Sequence, residues 1–284
     1  MASFRGTLIG VMLALPSAVA SAEPPMLSGA TKDADGFLVH EVRSTYQAGG
    51  TRIRVLLPDK SEKEKNLPVV YVLPVEAGTE DRYGDGLKEI QKLDLANKQR
   101  CVFVAPTFSQ LPWYADHPTK PDLRQETYFL EVVVPWIDKT YPVRREAAGR
   151  LLLGFSKSGW GAYSLILRHP EVFGKAAAWD APLMLSEPGK YGSGEIFGGA
   201  DNFAKYRITS LLKTHAEKFR TEKRLILLGY CNFRDEHQKA HDLLETLKVA
   251  HEFRDGPARK HEWTSGWIPE AVDLLLAVQS LSQK

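Results

Sequence analysis

Apolar positions along this chain fall into short unbroken runs separated by longer amphipathic stretches. Val69-Val70-Tyr71-Val72-Leu73, Leu151-Leu152-Leu153 and Leu225-Ile226-Leu227-Leu228 are apolar at every position. Runs of this kind suit strands buried on both faces, as in a parallel sheet covered by helices on each side. The pattern predicts strands at Pro68–Val75, Cys101–Thr107, Arg150–Phe155, Lys175–Trp179, Arg224–Gly229 and His251–Arg254. Between or after them it predicts helices at Gly86–Asn97, Tyr128–Lys139, Gly159–Arg168, Glu236–Lys248 and Ile268–Leu281. Upstream, Phe37–Arg43 and Thr51–Leu57 flank Gly49-Gly50 and predict an antiparallel hairpin. The class is therefore α/β: a mostly parallel sheet with an N-terminal antiparallel hairpin and flanking helices. Ser186 to Arg220, rich in glycine and polar residues, predicts a small cap-like insertion around residues 183–220, over the sheet's top edge. No repeat or linker divides the chain, which predicts one domain over residues 23–284.

Composition narrows the function classes. The 284 residues are 43% hydrophobic and 25% charged, ordinary for a globular protein, and the formal charge of +2 is too small to point to nucleic acid. The densest basic cluster, Lys60 to Lys65, is balanced by Glu62 and Glu64. The first 22 residues read differently: Arg5, a short apolar run Leu8–Leu15, then Ala20-Ser21-Ala22 before Glu23-Pro24-Pro25. That layout predicts a secretory signal peptide over residues 1–22 and an exported, periplasmic or extracellular protein. The apolar run is shorter than the roughly 20 residues of a membrane span, and no other stretch predicts one. Export would permit disulfides, but Cys101 opens one predicted strand and Cys231 follows the end of another, so two free thiols are expected.

The chemistry concentrates at Gly154-Phe155-Ser156-Lys157-Ser158-Gly159. A serine between a buried strand and an Ala/Gly-rich helix start has the context of a G-x-S-x-G nucleophile elbow, although Ser158 stands where that motif has its second glycine. Further stretches are Val133-Val134-Pro135-Trp136-Ile137-Asp138-Lys139-Thr140-Tyr141, Arg168-His169-Pro170-Glu171-Val172-Phe173-Gly174 and His261-Glu262-Trp263. With these, the chain from about Gly36 onward resembles the esterase D-like branch of the α/β-hydrolases, which also holds feruloyl and acetylxylan esterases and mycolyltransferases. The resemblance implies the α/β-hydrolase fold and a serine esterase or acyl transferase with no metal or organic cofactor.

A nucleophilic serine needs a base, and the base needs an orienting acceptor. In this fold the order is Ser, Asp/Glu, His. The family keeps its histidine in a Gly-Gly-His-x-Trp stretch, which here is Arg259-Lys260-His261-Glu262-Trp263, and so implies His261 as the base. The family's acid lies three residues after a strand-ending glycine; counting from Gly229 gives Asn232, an amide. Asp235 is then ranked first for the acid and Asp180, just past the preceding strand, second. His237 and His241, four apart on a predicted helix, read as a solvated face, since no third metal ligand is evident.

For an oxyanion, the backbone N–H of Lys157 is expected to work with one from the loop after Val69–Leu73. The family usually has His-Gly there, whereas this chain has Pro74-Val75-Glu76-Ala77-Gly78, so Val75 or Glu76 must donate. The Lys157 side chain reads as solvated. Trp113, Tyr114 and Trp160 are expected to line the substrate pocket, and Trp179, Trp263 and Trp267 also fall near the predicted catalytic edge. The expected function is a secreted serine esterase acting on a small-molecule or carbohydrate-linked ester, such as an acyl- or feruloyl-sugar. The alternatives are an acyltransferase with the same residues, or a non-catalytic hydrolase-like binding protein, motivated by the departures at Asn232, Ser158 and Pro74–Glu76.

Overall fold

The computed structural model describes Met1 and residues 23–78 and 82–277. The predicted leader, residues 1–22, therefore lies outside the described residues except for Met1, as does the end of the helix predicted to reach Leu281.

One sheet organises the chain. Its strands are β1 (Met26–Leu27), β2 (Thr31–Lys32), β3 (Leu38–Arg43), β4 (Gly50–Leu56), β5 (Val69–Val72), β6 (Val102–Pro106), β7 (Arg150–Phe155), β8 (Lys175–Trp179), β9 (Leu225–Tyr230) and β10 (His251–Ala258). The spatial order is β1-β3-β4-β6-β5-β7-β8-β9-β10, with β2 paired to β3 off this path. β3 and β4 form the predicted hairpin, and β4 lies antiparallel to β6. From β6 to β10 every pairing is parallel.

Burial explains the unbroken apolar runs. Side chains alternate between the faces of a strand, and here each face carries its own core. Val69 and Tyr71 of β5 join one cluster with Leu152, Ala176, Leu225 and Leu227. Val70 and Val72 join the other, with Leu151, Leu153, Phe155, Trp179, Ile226 and Leu228. The helix Lys157–Arg168 is packed into the first cluster, and Gly86–Lys92 and Ile268–Leu276 into the second.

The helices differ from expectation in detail. Gly86–Asn97 is two pieces, Gly86–Lys92 and Leu95–Gln99, because Asp94 takes left-handed backbone (φ 57°) between them. Tyr128–Lys139 begins earlier, at Gln125, and contains a π turn at Phe129–Val133 before Val134–Thr140. Pro135 lacks the N–H that a continuous α ladder would need there. Residues 183–220 carry the short helices Gly194–Phe197, Ala200–Ala204 and Ile208–His215. Their Phe197 and Phe203 pack onto Trp160 of the helix Lys157–Arg168.

β5 lies between β6 and β7, so the chain leaves β5 towards one side and returns across it to reach β7. Such a switch opens a crevice at the carboxyl ends of the strands, where ligands bind in open α/β sheets. The carboxyl ends of β5, β7 and β8 meet there.

Cys101 precedes β6 and Cys231 follows β9, at opposite strand ends with β5, β7 and β8 between, and both are free. Burial pushes the Cys101 thiol well up, while Cys231 is exposed. A thiol reagent is expected to modify Cys231 alone in the native protein and both cysteines after denaturation without reductant. Two native equivalents, or none after denaturation, would contradict this strand placement.

Candidate active site

Ser156 sits between β7 and the helix Lys157–Arg168 with φ 53° and ψ −127°, a backbone conformation that strains any residue with a side chain. The neighbours hold it there. A Cβ on Gly154 would lie 2.2 Å from the carbonyl oxygen of Ser158, and one on Gly159 would lie 2.7 Å from Ala181 Cβ, so the helix can cross this close only over glycine. Ser158, the departure from the elbow motif, is fully buried and useful. Its hydroxyl donates to Phe155 O and accepts from Phe155 N–H, both at 2.9 Å. The extra hydroxymethyl ties the turn to the strand that precedes it.

His261 approaches from beyond β10. Its Nε2 lies 3.1 Å from Ser156 Oγ, and its Nδ1 lies 2.5 Å from Asp180 Oδ2. With Nδ1–H donated to the carboxylate, Nε2 is left to accept the serine hydroxyl. Asp180 is the residue after β8, in left-handed backbone (φ 41°), with its side chain fully buried. It accepts from Asn232 N–H at 3.0 Å and Phe233 N–H at 2.7 Å. Burial alone would push its carboxyl up. The bond to His261 and the backbone N–H groups of Cys231, Asn232 and Phe233 outweigh that, holding it below the usual carboxylate range.

The carboxylate against His261 is thus that of Asp180, and the ranking of Asp235 first is corrected. Asp235 lies in the first turn of the helix Arg234–Thr246 and is exposed, whereas the Nδ1 of His261 is taken by Asp180. Asn232 also has a part, through its main chain: the loop after β9 supplies N–H donors instead of an acid.

His237, expected on a solvated face, is buried, and its Nε2 accepts the N–H of Ala181 at 2.8 Å. It braces the residue next to Asp180. No sequence signal separates it from a surface histidine, because its burial follows from how the helix Arg234–Thr246 lies on β9.

Trp113, Tyr114 and Trp160, expected to line the substrate pocket, are completely buried instead. Trp113 meets Trp160 edge-on at 5.4 Å, and the Tyr114 hydroxyl donates to Pro74 O at 2.7 Å. These rings support the elbow helix and the loop after β5. Trp179, Trp263 and Trp267 are core as well, and Trp179 and Trp267 stack at 5.3 Å. The rings around His261 are Phe155 at 4.4 Å, Tyr83 at 5.6 Å, Phe233 at 5.8 Å and the buried Trp179 at 6.2 Å, with the exposed Tyr191 edge-on against Phe233.

The Lys157 N–H heads its helix, where no intrahelical acceptor exists. Leu73 N–H still donates to Leu153 O, and Pro74 has no N–H, so Val75 and Glu76 carry the first donors beyond the ladder. A cavity of about 50 Å³ borders this loop, lined by Val75, Glu76 and Tyr83 among others. The Lys157 ammonium is not simply solvated: it is half-buried, 4.0 Å from Glu76 Oε1, and burial lowers its pKa. An alcohol within reach of an imidazole that a buried carboxylate orients, beside helix-terminal N–H groups, is the geometry for nucleophilic attack on a carbonyl.

His237 gives this region an acid sensitivity. Burial lowers its pKa from 6.5 to about 4. The unfolded chain takes up a proton near pH 6.5 that the folded protein refuses until about pH 4, so stability falls as pH falls across that window, by roughly 3 kcal/mol. His237→Gln, whose amide oxygen can still accept the Ala181 N–H, is expected to flatten this part of the stability profile in urea unfolding. An unchanged slope would place His237 outside the titrating set.

Residues 44–188 match the Esterase family profile. Two esterases of Mycobacterium tuberculosis, from strains CDC 1551 and H37Rv, are each 25% identical over 136 residues, 47% of this chain and 29% of their own length. The match thus spans under a third of these relatives. Among solved structures, the fold is similar to a ferulic acid esterase (20% identity, 84% of this chain and 95% of that one, TM-score 0.66). It is similar also to the fluorophosphonate-binding serine hydrolase F of Staphylococcus aureus (18%, 88% and 100%, TM-score 0.70). An S-formylglutathione hydrolase from Agrobacterium tumefaciens shows the same likeness (16%, 88% and 98%, TM-score 0.70). With the profile covering half of the chain on this architecture, the chain belongs to the Esterase family, in the esterase D-like branch of the α/β-hydrolase fold.

Proposed function

We propose that this protein is an exported serine carboxylic-ester hydrolase that works through an acyl-enzyme on Ser156. The observation that carries the reading is the unbroken line from Ser156 Oγ through His261 to the buried Asp180, with contacts of 3.1 Å and 2.5 Å. Ser156 Oγ attacks the ester carbonyl while His261 Nε2 takes its proton. The tetrahedral oxyanion rests on the N–H of Lys157 and on that of Val75 or Glu76. His261 returns the proton to the leaving alkoxide, and the alcohol departs. Water, deprotonated by His261, then attacks the acyl-serine; the acyl–Oγ bond breaks, His261 returns that proton to Ser156 Oγ, and the acid is released. Asp180 holds the imidazole in the Nδ1–H tautomer and stabilises the imidazolium, a task for which its lowered pKa keeps it ionised.

The substrate class is a small-molecule or carbohydrate-linked ester. Tyr83, Phe233 and the exposed Tyr191 form an aromatic border near His261, suited to an aryl acyl group or the face of a sugar ring. The name of the similar ferulic acid esterase fits an aryl acyl group. Export rests on the leader-like composition of residues 1–22. Protein recovered from outside the cytoplasm is expected to begin near Glu23, and an intact Met1 in that fraction would contradict a cleaved leader.

The chemical test is a graded set of variants assayed on short acyl, feruloyl and acetyl-sugar esters. Ser156→Ala is expected to abolish fluorophosphonate labelling and, like His261→Ala, to lower kcat about 10⁶-fold. Asp180→Asn is expected to cost about 10⁴-fold by favouring the wrong tautomer of His261. Asp235→Asn, exposed and apart from His261, is expected to stay within about twofold of wild type. Undiminished labelling of Ser156→Ala would overturn the hydrolase reading. A large loss in Asp235→Asn with a mild one in Asp180→Asn would move the acid.

A further inference from the structure

We propose that one divalent transition-metal ion of the zinc class binds His241, Glu245 and His251, at the end of β10 remote from His261. His241 and Glu245 stand one turn apart near the end of the helix Arg234–Thr246, and His251 opens β10. Residues four apart on a helix share a face, and this face lies against the edge strand. His241 Nδ1 and His251 Nε2 are 2.8 Å apart, Glu245 Oε1 is 3.8 Å from His251 Nε2, and the ligand atoms of all three lie within 4.8 Å of one another.

Both rings are already oriented. His251 Nδ1 donates to Val249 O at 2.8 Å, which fixes its tautomer and leaves the Nε2 lone pair facing His241. A ring nitrogen committed to a carbonyl is the usual outer support of a metal-bound histidine. The His241 ring stacks on Phe253 with centroids 4.2 Å apart and planes within 16°. Zinc bound tetrahedrally at its usual bond lengths holds ligand atoms about 3.3 Å apart. The nitrogens therefore need to separate by about half an ångström, and the flexible Glu245 arm needs to swing inward towards both rings. In the metal-free protein His241 Nδ1–H bridges to His251 Nε2. Binding moves that proton to His241 Nε2 through solvent and replaces one N–H···N bond by two metal–nitrogen bonds. The His251 side chain is 4% exposed and that of Glu245 66%, so the site is walled by protein on one side and open to a water ligand on the other.

Such an ion would clamp the helix Arg234–Thr246 to the last strand of the sheet. The same helix supports Asp180 through His237 and Ala181, and the same strand leads to His261. The site shares no residue with the Ser156 array.

The test uses the full mature chain, stripped with a chelator and titrated with Zn²⁺ by calorimetry and with Co²⁺ by visible absorption. One equivalent per chain is expected, with a four-coordinate Co²⁺ spectrum and a rise in Tm on adding Zn²⁺. His241→Ala and His251→Ala are each expected to weaken binding at least ~10-fold and to remove the Tm rise. Glu245→Ala changes an exposed side chain, so the fold is kept, and it is also expected to weaken binding. His261→Ala controls for adventitious capture by the Ser156 site and is expected to bind as wild type does. No uptake by the wild type, uptake unchanged in the His241, His251 and Glu245 variants, or uptake lost in His261→Ala would each overturn the proposal.

Discussion

The structure around Ser156 depends on one buried carboxylate. Asp180 is fully enclosed, and an ionised carboxyl there is tolerated only because donors converge on it. Those donors come from separate parts of the chain: the backbone after β9 and the imidazole beyond β10. Satisfying the charge therefore draws together the ends of β8, β9 and β10. The imidazole so fixed then faces the end of β7. Hydrogen bonds to a buried charge contribute roughly 1.5–3 kcal/mol each, enough to hold Asp180 in its left-handed backbone.

Two further devices keep this arrangement rigid. His237 accepts the N–H of Ala181, so the residue beside Asp180 is anchored to the helix Arg234–Thr246 as well as to the sheet. Behind His261, Phe155, Trp179, Trp263 and Trp267 form a continuous aromatic wall. The wall leaves the imidazole few alternative positions, and among the described residues the rings of Phe233, Tyr83 and the more distant Tyr191 border the open side. The elbow is held from the other face of the sheet, where Trp113, Tyr114 and Trp160 fill the space under Gly161 and Pro74. A Cβ on Gly161 would fall 2.0 Å from the Tyr114 ring, so that contact and the glycine imply each other.

The departures from the family pattern resolve into substitutions of means. Ser158 replaces a glycine and forms two hydrogen bonds with Phe155. Asn232 stands where the family's acid is counted, and its backbone N–H binds the Asp180 carboxylate just past β8. Pro74 removes one N–H from the loop after β5 but provides the carbonyl that Tyr114 anchors. Each keeps an interaction while changing the residue that makes it, as backbone groups allow.

The sequence by itself determined the sheet and the strand–Ser156–helix turn. Unbroken apolar runs such as Val69–Leu73 can be satisfied only between two covered faces, and the strand–Ser156–helix turn is a local pattern of glycines and periodicity. His261 was legible through a short motif next to Trp263. The π turn at Phe129–Val133 escaped, although Pro135 marked the place. Only the tertiary structure decided which carboxylate meets His261, because Asp180 and Asp235 are both near strand ends and differ in which way the chain turns after β8 and β9. The fate of the aromatics was also decided there: Trp113 and Trp160 carry no local mark that separates a buried ring from a pocket wall. The same holds for His237 and His241, which a helical spacing makes equivalent. Packing on β9 and β10 turns one towards Ala181 and the other towards His251, since burial is a property of the neighbours that distant segments bring.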